Sequence, residues 1–277
     1  MGATFIITLR EAFEATLLLG IVYTYLDKIG LKQHSRYVTQ GTVLGVVASV
    51  AMGATVTFAS GPLLEFGPDV IALLVIFFAV GLLTWHGWWM RQYARAIKGE
   101  IQQRIDEAEA TRRLWVVGLI AFTGVFREGA ETVLFLWGLF SQVGSTGAGA
   151  IIGGLAGVGT AAALGWAIYH GGKHVSLQKF FTVTSALLLL LAAGLFSGGI
   201  GKLQGLGVLP QSSTLWDTSF LLSDRGLVGS FLNGLIGYRA RPTTLEATAY
   251  MTYLLMAGSL FFGHLWPKRF LRQPMGG

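Results

Sequence analysis

Apolar runs of about 20 residues recur along this chain, the length that a helix rising about 1.5 Å per residue needs to cross a bilayer core about 30 Å thick. Seven can be read, over residues 4–25, 38–60, 70–90, 114–140, 148–169, 180–200 and 245–266. A soluble helix of that length shows a polar face at a period of about 3.6 residues, and these runs lack one. Charged residues make up 12% of the 277 positions against 53% hydrophobic, about half the charged share of a soluble domain. The predicted fold class is therefore all-α: one polytopic membrane domain over residues 1–277, with seven transmembrane helices. The first run is expected to stay in the mature protein, because no basic region precedes it and it contains Arg10, Glu11 and Glu14, unlike a cleaved signal segment.

Basic residues choose the orientation. Fourteen Lys and Arg fall after the first, third and fifth runs and at the C-terminal end, and four (Lys202, Arg225, Arg239 and Arg241) fall on the opposite side. Lys and Arg concentrate in cytoplasmic loops, which puts the N-terminus outside and the C-terminus in the cytoplasm. The same topology accounts for the net charge of +6 without nucleic acid as a partner. No cysteine is present, so thiolate metal sites, disulfides and thiol redox chemistry are excluded, and a metal here takes oxygen or imidazole ligands.

Residues 91–113, with Glu100, Asp106, Glu107 and Glu109 among basic neighbours, read as a solvated cytoplasmic helix. Residues 201–244 are too polar to span, yet Leu215, Trp216, Phe220, Leu221, Phe231 and Ile236 predict short amphipathic helices on the outer face. Asp217 and Asp224 in that segment read as solvated surface carboxylates, with collection of cations at the outer mouth as the alternative. Trp85, Trp88 and Trp89 predict an interfacial belt at the cytoplasmic end of the third run, with His86 among them. His34, His170, His174 and His264 fall at span ends or in loops, and the His170/His174 pair, interrupted by Gly171-Gly172, reads as loop.

Two runs carry charges deep inside. Leu9-Arg10-Glu11-Ala12-Phe13-Glu14 matches Phe126-Arg127-Glu128-Gly129-Ala130-Glu131 at a constant offset of 117. An intramembrane charge costs about 2.5–3.5 kcal/mol, so six facing lipid would cost on the order of 15–20 kcal/mol, and they must face protein or water. Glutamates at i and i+3 share one helix face, and the arginine before them reaches the second at its own i+4. If the faces meet, four carboxylates and two guanidiniums leave −2 at full ionisation, which suits a cation. Carboxylates about 4 Å apart repel by about 4 kcal/mol at an effective dielectric near 20, so an arriving cation is expected to displace protons. A purely structural role, with Arg10–Glu14 and Arg127–Glu131 pairs locking helices, would leave Glu11 and Glu128 buried without partners.

The motif copies lie on the first and fourth runs, so the two motif helices cross in opposite directions and the halves, residues 1–91 and 114–200, form an inverted 3+3 repeat with 245–266 as an extra helix. Ala79-Val80-Gly81-Leu82-Leu83-Thr84 resembles Ala192-Ala193-Gly194-Leu195-Phe196-Ser197 in the third member of each half. Inverted repeats with a polar site at their interface are a transporter architecture. Gly149, Gly153 and Gly157 are spaced for close helix packing.

These two copies strongly resemble the Arg-Glu-Gly-Leu-Glu type motifs of the oxidase-dependent iron permeases, the high-affinity iron permeases of fungi and their bacterial relatives in elemental iron uptake. The resemblance extends to the seven-run layout and to Leu215-Trp216-Asp217-Thr218-Ser219 and Gly237-Tyr238-Arg239-Ala240-Arg241-Pro242. Ala12-Phe13 stands in place of Gly-Leu, and Ala130 in place of Leu. The resemblance implies iron import, with Glu11, Glu14, Glu128 and Glu131 as ligands or relay sites and Arg10 and Arg127 as electrostatic supports. It also implies a separate iron-oxidising or iron-delivering protein on the outer side. Iron is then transported substrate, not cofactor, and a homo-oligomer is compatible with the pattern.

Carboxylate chemistry alone suits manganese or magnesium as well as iron, so carriage of another divalent ion such as manganese or lead on the same scaffold is the nearest alternative. An intramembrane hydrolase is the alternative of a different class. Against it stand the lack of His-Glu-x-x-His and cysteine, and the expectation that no histidine lies near the centre of a span.

Overall fold

A computed structural model describes residues 1–65, 68–93, 97–143, 148–169, 177–224 and 226–262. The elements are helices: α1 (Gly2–Lys28), a 3-10 turn (Lys32–His34), α2 (Ser35–Glu65), α3 (Pro68–Tyr93), α4 (Ile97–Ala110), α5 (Trp115–Val143), α6 (Ala148–Tyr169), α7 (Leu177–Gly205), α8 (Leu227–Ile236) and α9 (Thr244–Phe262). Among the described residues, four segments are long and apolar enough to cross a membrane: Lys32–Phe58, Asp69–Trp88, Ala148–Ile168 and Lys179–Gly205. α1 and α5 match them in length, at 27 and 29 residues, but each carries an Arg-Glu-x-x-Glu cluster. α9, of 19 residues, includes Glu246 near its start.

α1 and α5 pack antiparallel through the molecule. Ala3, Ile6 and Ile7 of α1 join Phe135 and Leu139 of α5 in one apolar cluster, and Val22 and Leu26 join Val117, Ile120 and Ala121 in another. Each helix also lies along a parallel neighbour, and glycine makes the approach. A Cβ on Gly157 of α6 would stand 2.6 Å from the Phe5 carbonyl of α1, and one on Gly45 of α2 would stand 3.0 Å from the Phe122 carbonyl of α5. Gly153 faces Met1 and Gly165 faces Thr16, as Gly41 faces Gly118 and Gly53 faces Val133. Small residues at such intervals replace side-chain bulk with backbone contact.

α4 is helical as expected from its charges, but it is amphipathic where a solvated helix was expected. Ile101, Ile105 and Ala108 are buried against the ends of α1, α2 and α5. The opposite face carries the Arg104–Glu100 pair at 2.7 Å and the Gln103–Glu107 hydrogen bond at 3.0 Å.

Residues 201–244 depart from the expected run of short helices. α7 continues to Gly205, and among the described residues only Leu227–Ile236 is helical between there and Thr244. The rest is a hydrogen-bonded loop: Leu215 N–H donates to Pro242 O, Thr218 N–H to Ala240 O and Thr244 N–H to Ser213 O, around an isolated Thr214–Thr243 bridge. Pro210 and Pro242 withhold backbone donors, and the Ser/Thr-rich stretch between Gln211 and Ser219 turns its hydroxyls on the backbone, which opposes helix despite the apolar content. α8 is wedged into the bundle: Phe231 meets Gly2, and Gly237 passes against Gly194. Gly237 ends α8 at φ 70°, a left-handed cap that glycine adopts without strain.

Asp217 and Asp224 brace this loop. Asp217 Oδ1 accepts from the Ser219 hydroxyl and backbone N–H, Oδ2 lies 3.0 Å from Arg241 Nε, and Asp224 Oδ1 accepts from Ala240 N–H. The Ser219 bonds, with Arg241 beside them, pull the Asp217 carboxyl down to about 2.

Trp85 and Trp88 are exposed, in keeping with an interfacial belt, and the side chain of Trp89 lies outside the described residues. His170, His174 and His264 also lie outside them. His34 sits in the 3-10 turn, stacked on Tyr37.

Candidate metal centre

Helical periodicity dictates the first layer. Arg10, Glu11 and Glu14 occupy one stretch of α1, and Arg10 Nε lies 3.0 Å from Glu14 Oε1 while Nη1 lies 3.6 Å from Glu11 Oε1. α5 repeats the arrangement, with Arg127 Nη2 2.9 Å from Glu128 Oε1 and Nε 3.5 Å from Glu131 Oε1. Each arginine therefore reaches both glutamates of its motif. Glu11 and Glu128 are not without partners, which corrects the expectation drawn from a one-to-one pairing.

Antiparallel packing of α1 on α5 brings the motifs face to face. The neighbouring parallel helices explain the residues between the glutamates. Gly129 lies against Ser49 of α2, where a Cβ would strike the Ser49 side chain, whereas its motif counterpart Ala12 packs with Ala161 of α6. Phe13 is enclosed by Phe180 and Phe181 of α7. The motif's variable positions thus follow local packing, and its charged positions meet one another.

A third helix contributes a residue that sequence reasoning placed elsewhere. His86 of α3 is 2% exposed, not interfacial, and stands between the two motifs. Its Nε2 lies 3.7 Å from Glu14 Oε2 and 4.0 Å from Glu11 Oε2, and its Nδ1 contacts Glu131 Oε2. The ring meets Phe135 edge-on. One ligand atom each from Glu11, Glu14, His86 and Glu128 lies within 4.8 Å of the others. The signal was present in the spacing: Ile76, Val80 and Leu83 form the buried stripe of α3, and His86 continues it by one further turn, away from exposed Trp85 and Trp88.

Several atoms at this junction are buried without a hydrogen-bond partner: both carboxylate oxygens of Glu11 and Glu14, Glu128 Oε2, Glu131 Oε2 and His86 Nε2, together with Arg10 Nε and Nη1, which stand at ion-pair distance from Glu14 and Glu11. Buried polar atoms are ordinarily satisfied, so such a concentration of acceptors suits a cation. Oxygen and imidazole ligands at about 2.0–2.6 Å bind divalent metals in this manner. The cluster is also lopsided. The Arg10 and Glu11 side chains are 1% exposed, whereas those of Arg127 and Glu131 are 37% and 17% exposed. Beside it, Arg10 borders a narrow cleft with Thr84, Ser185 and Tyr253.

Comparison with known proteins identifies relatives of this chain. The model of the iron permease FTR1 family matches residues 1–267. The chain is 34% identical over 265 residues to the ferrous iron permease EfeU of Yersinia pestis, covering 95% of this chain and 93% of that protein. It is 34% identical over 261 residues to EfeU of Yersinia pseudotuberculosis serotype I, covering 93% and 91%. It is 30% identical over 260 residues to EfeU of Escherichia coli O6:K15:H31, covering 93% and 94%. No solved structure matches it. With a family match running almost end to end, and relatives matched over nearly their whole length, this chain belongs to the iron permease FTR1 family.

Proposed function

We propose that this chain is a transporter, not an enzyme, and carries iron across a membrane through the junction of α1, α3 and α5. The carrying observation is the convergence of one carboxylate oxygen each from buried Glu11, Glu14 and Glu128 within 4.8 Å of one another and of a His86 ring nitrogen, at a junction where each of the three glutamates has an oxygen without a hydrogen bond. Glu131 completes the acidic lining, and Arg10 and Arg127 offset the charge of each pair. The names of the relatives favour ferrous iron as the ion carried.

In this reading α1, α2, α3, α5, α6, α7 and α9 are the seven spans, and α1–α3 and α5–α7 form inverted repeats. Three glycine contacts support the repeat. Gly153–Met1, Gly157–Phe5 and Gly165–Thr16 in α6/α1 are matched by Gly41–Gly118, Gly45–Phe122 and Gly53–Val133 in α2/α5. The contacted residues differ by the same 117 positions as the motifs. Basic residues such as Lys28, Arg104 and Arg112 sit at the α4 end, which is read as cytoplasmic, leaving the N-terminus and loop 206–243 outside the inner membrane. That loop is the surface offered to a separate iron-delivering or iron-oxidising protein.

Reconstitution in liposomes tests the reading. Iron flux in the intact protein is expected to fall to background in Glu11→Ala and in Glu128→Ala; equal flux in all three rejects it. Carboxylates accept other hard divalent ions, so manganese carriage is the second reading, and competition of Mn²⁺ against Fe²⁺ uptake separates the two.

A further inference from the structure

The geometry points to a ligand set of three carboxylates and one imidazole, in which His86 binds the transported ion through Nε2 and Glu131 acts as the positioning residue that orients the ring. This rests on the permease reading and goes beyond it, because it divides the four motif glutamates into two roles.

His86 has its two ring nitrogens in different surroundings. Nδ1 contacts Glu131 Oε2. Nε2 lies 4.0 and 3.7 Å from the Glu11 and Glu14 carboxylates, buried and without a hydrogen bond. A metal taken up among these groups uses the Nε2 lone pair and leaves the ring proton on Nδ1, beside Glu131. Ligands about 2.1 Å from a metal are separated from one another by about 3–4 Å, which matches these distances closely. A carboxylate on the far nitrogen of a metal-binding histidine fixes the tautomer and raises ligand basicity, a recurrent arrangement around metals.

Glu131 is thereby separated from its motif counterpart Glu14. Glu14 faces Nε2, on the ion's side of the ring, and Glu131 faces Nδ1, on the other. The repeat explains why one half alone provides the ring. Aligning Thr84 with Ser197 brings His86 opposite Gly199, whose site is filled by Phe77. An imidazole among carboxylates also moves the preference of the site from magnesium and calcium toward first-row transition metals.

Full-length protein in detergent, loaded anaerobically with Fe²⁺, tests this by X-ray absorption at the iron edge. Imidazole multiple scattering is expected in the intact protein and is lost in His86→Gln, with carboxylate-bound iron remaining. Iron bound without an imidazole signal, or with a signal that survives His86→Gln, overturns the assignment and leaves the carboxylate permease standing. No iron binding by the intact protein overturns the permease reading itself. Affinities complete the test: Glu131→Gln is expected to weaken Fe²⁺ binding about 10–100-fold, and to add little in the His86→Gln background, since the two act as a unit. Additive losses overturn the positioning role. Should His86→Gln fail to fold, the spectrum of the intact protein and that of Glu131→Gln decide the point.

Discussion

Arg10 and Glu14 form an ion pair at 3.0 Å, one helical turn apart on α1, with both side chains almost wholly enclosed. The equivalent pair on α5, Arg127 and Glu131, is 3.5 Å apart and partly open. Removing one partner of an enclosed pair leaves an uncompensated charge, at a cost of about 3–5 kcal/mol. Arg10→Ala is therefore expected to lower the thermal unfolding temperature in detergent markedly, and Arg127→Ala much less. Equal losses would show that the two halves are equally sealed.

Glycine contacts between α1 and α6 and between α2 and α5 give a paired prediction. Ala at Gly41 meets the Gly118 carbonyl and Ala at Gly153 meets that of Met1, so each substitution is expected to cost about 1–3 kcal/mol as backbone gives way. Gly159→Ala is the control, with nothing within 4 Å of its added methyl. It is expected to be neutral or stabilising by about 0.5–1 kcal/mol through helix propensity. Thermal unfolding of the three variants ranks them.

Loop 206–243 is expected to hold its shape into strong acid. The Asp217 carboxyl sits at about 2 against an ordinary 3.8. A depressed carboxylate contributes stability that is complete above its unfolded value and is lost as pH falls through the folded one. The brace between Asp217, Ser219 and Arg241 should loosen only between about 3.8 and about 2. Protease nicking of the loop followed across that range checks it, and Asp217→Asn should be nicked faster already at pH 5.

Metal binding at the α1/α5 junction is expected to release protons, because a carboxylate must be deprotonated to ligate and four of them cannot all stay charged at close range. Isothermal titration of Fe²⁺ in buffers of different ionisation enthalpy measures the number released. Zero release from pH 5 to 8 rejects the coupling.

How much of this was legible beforehand depended on the kind of signal. α1 and α5 were plain, because Arg10, Glu11, Glu14 and their counterparts are too costly in lipid to be placed there for anything but a partner or a site. The α4 helix was legible from its alternating charges. His86 was lost among Trp85, Trp88 and Trp89, where composition outweighed spacing, although the stripe through Ile76, Val80 and Leu83 pointed inward. The loop between α7 and α9 was misjudged in the opposite way. Phe220 and Leu221 suggested an amphipathic helix on the outer face, and both lie instead on a turn fixed by Asp217, Thr218 and Ser219. Long-range hydrogen bonds such as Thr218 to Ala240 leave no local trace in sequence.

The glycine seams also say what can move with what. α1 is fastened to α6 and α2 to α5 by backbone contact, so the stiff bodies of this molecule are cross-partnered and do not coincide with its first and second halves. Any displacement that parts Glu14 from Glu128 without tearing those seams must carry α6 along with α1, and α2 along with α5. The carboxylate cluster then lies on the boundary between two helix pairs, each assembled from one helix of either half.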